Sequence, residues 1–184
     1  MAFSPITDLV TWRLTSRIPR LQAMRDQPLA AQDQVFRELM AAAAQTDYGR
    51  THGLTPTTTY AEFAASVPIV NYDKLYPWIE RSMRGEANVL WPGVTKWFAK
   101  SSGTTAAKSK FIPVSRESLE ENHFKVGRDL LAFYAEQVPD SQLYDGLSLR
   151  LGGSSKINEL NEHSYYGDLS AIMIDNLPDR KSVV

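Results

Sequence analysis

The stretch Lys96–Ser115, KWFAKSSGTTAAKSKFIPVS, sets six Ser and Thr hydroxyls, one Gly and four Lys between two short apolar runs. The flanking runs, VTKWFA and KFIPV, are rich in β-branched and aromatic residues and predict two strands. The segment from Lys100 to Ser109 is then the loop between them. Gly103 permits a positive φ and lets a ligand approach the backbone closely. Successive N–H groups in such a loop form an anion-binding nest. The hydroxyls of Ser101, Ser102, Thr104 and Thr105 donate to phosphate oxygens without adding charge, and Lys108 and Lys110 supply cations. The chemistry suits a polyphosphate cradle, although composition alone also fits an ordinary polar hairpin.

Two better-known phosphate motifs are excluded. A Walker loop requires GxxxxGK[ST]. Here Lys108-Ser109 follows Ala107, and Ser102 holds the first Gly position, so both glycines are missing. A dinucleotide fingerprint needs three glycines, and this loop has one.

Upstream, the first ninety residues predict helices. One covers about Ile6 to Arg17, ahead of Pro19. A second opens at Pro28 and carries Val35, Phe36, Leu39, Met40 and Ala43 at helical spacing. The run DYGRTHG ends it through Gly49 and Gly53. TTTYAEFAASVP predicts a short Thr-capped helix. NYDKLYPWIERSMRGEANVLWPG predicts another, with Tyr76, Ile79 and Met83 on one face. Trp78, Trp91 and Trp97 read as packing residues by default and as stacking surfaces for a ring by the sharper reading.

Downstream, Ser115 is a good N-cap, and RESLEENHFKVGRDLLAFYAEQV predicts one helix of about 22 residues. Its apolar stripe comprises Leu119, His123, Val126, Leu130, Phe133 and Gln137. LYDGLSLRLGG is a further strand candidate. The stretch Tyr166–Ile174 is ambiguous between strand and helix, and Asp168 beside Gly167 suits either a turn or a pocket mouth.

Composition narrows the function classes. The chain has 184 residues, 43% of them hydrophobic, and a formal net charge of −1 from 20 basic and 21 acidic side chains. That balance lacks the basic stripe of a nucleic-acid binder. Absence of cysteine excludes disulfides, thiolate metal sites and thiol catalysis, and fits a reducing, cytoplasmic setting. The three His residues are not spaced as metal ligands. No run approaches the ~20 apolar residues that span a bilayer, and the amphipathic start reads as a surface helix.

The run KSSGTTAAKSKFIPVS resembles the phosphate-binding signature of the adenylate-forming enzymes, [ST]SGTTGxPKG. Ser101–Thr105 match its first five positions; Ala106 replaces a Gly, and Lys110 lies one place later than the signature lysine. Which of Lys108 and Lys110 serves the phosphates therefore stays open. TDYGRTHG, then VPIVNYDKLYPWIERSMRGEANVLWPG, then WFAKSSGTT and SKFIPVS occur in the order found in the auxin-responsive acyl-acid amido synthetases and their bacterial relatives.

That resemblance implies an α/β fold: the N-terminal part of an adenylation domain, helix-rich, with an incomplete sheet. It implies a helical lead-in over 1–93 and a phosphate-loop segment over 94–184, without the family's small C-terminal domain. The implied activity joins a carboxylic acid to ATP, with Mg2+ on the phosphates, and passes the acyl group to an amino acid or other amine. No nucleic acid or membrane partner is implied. The resemblance assigns ATP to Ser101, Ser102, Gly103, Thr104, Thr105, Lys108 and Lys110. It assigns part of the acyl-acid pocket to His123, Phe124 and Arg128, where a solvated Arg128 and a half-buried structural His123 are the plainer alternatives. An acyl-CoA ligase of the same superfamily, or a non-catalytic binding module, would share these features. A chain of this length is expected to be a fragment with little activity alone.

Overall fold

The computed structural model describes residues 5–101, 109–138, 141 and 156–177. They fall in two compact units, one drawn from residues 1–32 and 120–151, the other from 33–119 and 152–184.

The first unit is helical. It contains α1 (Pro5–Thr15), α2 (Ile18–Asp26) and α7 (Phe124–Gln137). Leu14, Ile18 and Ala132 form its buried centre, with Val10, Leu21 and Leu131 packed around them. Arg17 ties α1 to α7 by an ion pair to Asp129, with its Nη2 2.5 Å from Oδ1. The sequence did not suggest α2, because Pro19 reads as a stop. Pro19 instead occupies the first turn, where its missing N–H costs nothing.

The expected long helix after Ser115 exists but is not uniform. Ser115 Oγ accepts the N–H of Ser118 at 3.0 Å, as its capping role requires. Ser118–His123 is then a π-helical segment, and α7 follows directly. The i→i+5 bonding of a π segment slips the side-chain phase by roughly one residue. The buried positions of α7 are therefore Ala132 and Ala135, while Val126, Leu130 and Phe133 of the expected stripe are exposed.

The second unit holds the sheet. Its helices are α4 (Asp47–Thr51), α5 (Tyr60–Ser66), α6 (Tyr72–Met83) and α8 (Leu169–Asp175), and most of α3 (Pro28–Ala43) belongs to it. The strands β1 (Trp97–Lys100), β2 (Phe111–Val114), β3 (Ile157–Asn161) and β4 (Ser164–Gly167) form one sheet in the order β2-β1-β4-β3. β1 runs antiparallel to β2 and parallel to β4. Trp97, Phe98 and Ala99 are all buried, as a strand paired on both edges and covered on both faces demands. Helix α6 contacts β2, and α8 contacts β1 and β4. The ambiguous stretch near Tyr166 resolves as strand then helix, and β3 was not anticipated. LYDGLSLRLGG lies outside the described residues. Among the described residues no helix is long and apolar enough to cross a membrane.

Two lead-in motifs interlock. Thr46 caps α4 by accepting the N–H of Gly49 at 2.9 Å. The N–H groups of Asp47 and Tyr48 donate to the carbonyls of Asn88 and Val89 at 2.7 and 3.0 Å. The first turn of α4 thus finds every partner it needs in TDYGR itself and in EANVLWPG. Asp47 also accepts from Arg50 and Arg81, and Arg81 reaches Glu86. At the same end of α6, Asn161 Nδ2 and Ser164 Oγ both donate to the carbonyl of Met83, at 2.7 and 2.6 Å. The β3–β4 hairpin is thereby pinned to the last turn of α6.

Gly49 has no room for a side chain: an added Cβ would lie 1.9 Å from the Ala43 carbonyl oxygen. Gly49→Ala is expected to lower stability by about 3 kcal/mol, the upper end of overpacking costs, read as a fall in the urea midpoint at unchanged slope. A variant as stable as the parent would show that α3 and α4 are not packed this closely.

Hydrogen bonds from Arg81 and then Arg50 hold the Asp47 carboxyl below its ordinary range. A depressed folded-state value contributes stability above the unfolded value, near pH 4, and loses it as pH falls through the folded value. Asp47→Asn should therefore lower stability at neutral pH and flatten the acid side of the stability–pH curve. Parallel curves for the two proteins would remove Asp47 from the acid response.

Candidate functional site

The hydroxyl-rich loop leaves the sheet at Ser101 and returns at Lys110. Ser102, Gly103, Thr104, Thr105 and Lys108 lie outside the described residues, so the site is built from its neck. Two bonds close it. The N–H of Ser101 donates to the Lys110 carbonyl at 2.9 Å, and the N–H of Lys110 donates to Ser101 Oγ at 3.1 Å. Ser101 is thus committed to the hairpin through both its backbone and its hydroxyl.

The neck opens where parallel strands end. β1 is paired with β4 through Trp97↔Tyr165, Phe98↔Tyr166 and Ala99↔Gly167. Both chains leave the sheet on the next residues, β1 into the loop and β4 into α8 through Asp168. The carboxyl ends of parallel strands are where open α/β sheets hold ligands. Gly167 is required there: a Cβ would approach the Lys156 carbonyl oxygen to 2.9 Å.

Aromatic rings floor the neck. Phe111 meets Tyr166 edge-on, with centroids 5.4 Å apart. The Lys100 ammonium lies 5.6 Å from the Tyr166 ring centre and the Lys110 ammonium 5.3 Å from that of Tyr72. The Tyr72 hydroxyl accepts the N–H of Phe111 at 2.9 Å and lies 3.2 Å from the Phe111 carbonyl, to which it donates. Tyr72, Tyr166 and Lys100 were not singled out in the sequence. Only the loop's own residues carried a signal there.

Each of the three tryptophans has a partner within the fold. Trp97 is buried beside Tyr165, Trp78 lies edge-on to Tyr48 beneath Arg81, and Trp91 donates to Glu117 at 2.7 Å. His123, Phe124 and Arg128 belong to the first unit. His123 ends the π-helical segment and Phe124 begins α7, both half-buried, while Arg128 is exposed. The Glu121 carboxyl is held low first by its hydrogen bond and charge pairing with Lys125; Arg20 and Arg128 add to this. Among the described residues no three His, Asp or Glu side chains stand together as a metal site.

Residues 17–178 match the family described as GH3 family N-terminal domain. The chain is 34% identical over 116 residues to the indole-3-acetic acid-amido synthetase GH3.8 of Oryza sativa subsp. indica, which covers 62% of this chain and 18% of the relative. It is 29% identical over 126 residues to the jasmonoyl-L-amino acid synthetase JAR6 of Nicotiana attenuata, covering 68% and 21% respectively. The chain therefore spans about a fifth of the length of these curated relatives. Among solved structures, the GH3.15 acyl acid amido synthetase superposes with a TM-score of 0.75 at 20% identity, over 88% of this chain and 29% of that one. At that identity the likeness establishes the fold.

Ser101→Ala removes the acceptor of the Lys110 N–H and should cost about 1 kcal/mol. Amide exchange at Lys110 should quicken while Phe98, at the centre of β1, stays protected. Unchanged exchange at Lys110 would mean the hydroxyl does not hold the neck.

Proposed function

This chain belongs to the GH3 family, and on that premise we propose that it supplies the phosphate-handling part of an ATP-dependent acyl-acid amido synthetase. The observation that carries the reading is the neck: a hydroxyl-rich loop anchored by Ser101 and Lys110 at the carboxyl ends of parallel β1 and β4.

The chemistry has two steps. A carboxylate oxygen of the acid attacks the α-phosphorus of ATP, the bond to the β-phosphate bridging oxygen breaks, and pyrophosphate leaves. An amine nitrogen then attacks the acyl carbon, the bond from that carbon to the AMP oxygen breaks, and the amine gives up a proton. The first step needs no general base, because the carboxylate is already ionised; it needs positioning and charge neutralisation.

The proposed roles follow from the side chains. Ser102, Gly103, Thr104 and Thr105 offer hydroxyl and backbone donors to the β- and γ-phosphates. Ser101 holds the near side of the neck. Lys110, or Lys108, supplies the cation. Mg2+ would arrive on the nucleotide's phosphate oxygens, the usual way this ion is presented with ATP. His123, Phe124 and Arg128 are proposed to line part of the acid pocket, with Arg128 pairing the carboxylate. The relatives' names point to auxin-like and jasmonate-like acids and to amino acids as substrate classes.

The test is acid-dependent ATP–pyrophosphate exchange with the product of the natural, uninterrupted reading frame, across aromatic, indole and fatty acids. Exchange with at least one acid is expected, together with amide formation when amino acids replace coenzyme A as acceptor. Ser102→Ala should weaken ATP binding about tenfold, the loss of a hydrogen bond to a charged group. Residues 1–184 alone should give no exchange. No exchange with any acid, or an unchanged ATP affinity in Ser102→Ala, would overturn the reading.

A further inference from the structure

We propose that Tyr72 is a positioning residue for the phosphate loop, acting through the backbone of Phe111. The proposal rests on the functional reading above.

Antiparallel pairing alternates hydrogen-bonded and non-bonded residue pairs. Ser101 and Lys110 form a bonded pair. The next pair, Lys100↔Phe111, is then non-bonded, as is Phe98↔Pro113 two residues on. Phe111 and Pro113 accordingly turn their backbone groups away from β1, toward the outer edge of the sheet. Pro113 has no N–H to satisfy there. Phe111 has both an N–H and a carbonyl, and one hydroxyl serves both: Tyr72 accepts from the first at 2.9 Å and donates to the second at 3.2 Å. The tyrosine stands in for a neighbouring strand over one residue.

The choice of residue is what links this bond to function. The peptide unit joining Lys110 to Phe111 is rigid. Its carbonyl is gripped by the Ser101 N–H on one side, and its N–H by the Tyr72 hydroxyl on the other. A planar unit held at both ends cannot rotate. Its orientation sets where the Lys110 side chain starts, and Lys110 is the last residue before the sheet resumes. The Tyr72 ring then receives the Lys110 ammonium at 5.3 Å. One side chain fixes both the backbone exit of the loop and the resting place of a candidate phosphate cation.

Anchoring α6 does not depend on this contact. Its last turn is held by Asn161 and Ser164 at the Met83 carbonyl and by the Arg81–Asp47 pair. Its first turn has its own cap, the Lys74 N–H on Asn71 Oδ1 at 3.1 Å. Removing the Tyr72 hydroxyl should leave the helix in place and release only the neck.

The experiment compares the enzyme from the natural reading frame with Tyr72→Phe, which keeps the ring and deletes the hydroxyl, and with Tyr76→Phe as a neighbouring control. Three readouts are taken: KM for ATP and for the acid in pyrophosphate exchange, ATP affinity, and amide exchange of peptides covering residues 109–114. In Tyr72→Phe the KM and Kd for ATP should rise about fivefold, the effect of one ordinary hydrogen bond, with the acid KM unchanged. Exchange at Phe111 should quicken by a similar factor, and Tyr76→Phe should match the parent throughout. A general loss of folding would move both KM values or the melting temperature instead of ATP alone. Normal ATP parameters in Tyr72→Phe, with the parent active, would overturn the Tyr72 proposal and leave the functional reading standing. A parent without acid-dependent exchange would overturn both.

Discussion

β1 is four residues long and bonded along both edges, antiparallel to β2 and parallel to β4. That double pairing is the constraint on which the candidate site depends. Phe98 at its centre is completely buried, so the strand cannot shift without opening the sheet on both sides. The loop therefore begins from a fixed point. A one-residue slip in β1 would exchange the faces of Trp97 and Phe98 and place Lys100 against the interior. On the proposed reading the site needs little bond-making help from its protein, but it does need its donors held still. A short strand locked between two others meets that need before any loop residue is considered.

The rest of the second unit works to keep that strand where it is. The interlock of TDYGR with EANVLWPG closes a turn at Asn88, which has a positive φ of 59°. Val94 pairs back with Ala87, and the chain then enters β1. The capped α4, the Asp47–Arg81–Glu86 ion pairs and the pinned β3–β4 hairpin all converge on the last turn of α6. Isolated exposed ion pairs contribute little. Here Arg81 is shared between two carboxylates and also covers Trp78, so it acts as a connector. TDYGR and EANVLWPG, two of the stretches that carry the family resemblance upstream of the loop, thus set the entry to β1.

Much of this was legible in the sequence, and the failures have physical causes. β1 and β2 were visible because β-branched and aromatic residues cluster in them. α5 was visible through its Thr cap, and α6 through the spacing of Tyr76, Ile79 and Met83. β3 was missed because Ile157–Asn161 alternates poorly and is only half-buried. α2 was missed because Pro19 was read as an ending. The stripe on α7 was mis-phased because a uniform helical period cannot register a π-helical segment. At the site, Ser101 and Lys110 stand out in the sequence as candidate phosphate groups, but not as the pair that closes the neck, which only the folded chain brings together. Tyr72 was not: it lies 39 residues from Phe111, and nothing in its neighbourhood encodes a backbone partner so far along the chain.

Magnitudes also bear on how Lys110 would serve a phosphate. An exposed cation–π contact is worth about 0.5–1 kcal/mol. A hydrogen bond to a charged group is worth about 1.5–3 kcal/mol. On the proposed reading, a polyphosphate within reach would draw the Lys110 ammonium off the Tyr72 ring, and the contact would cost little to give up. The ring is then a resting place that keeps the cation near the neck and partly ordered, so less side-chain freedom is lost on binding. Lys100 sits in the same way on Tyr166 across the neck. Two ammonium groups held on aromatic faces, one on each side of a hydroxyl-rich loop, provide positive charge without committing either to a permanent anion. An exposed carboxylate partner would add no more to the fold than these rings do, and on the proposed reading it would compete with the phosphates for the same cations.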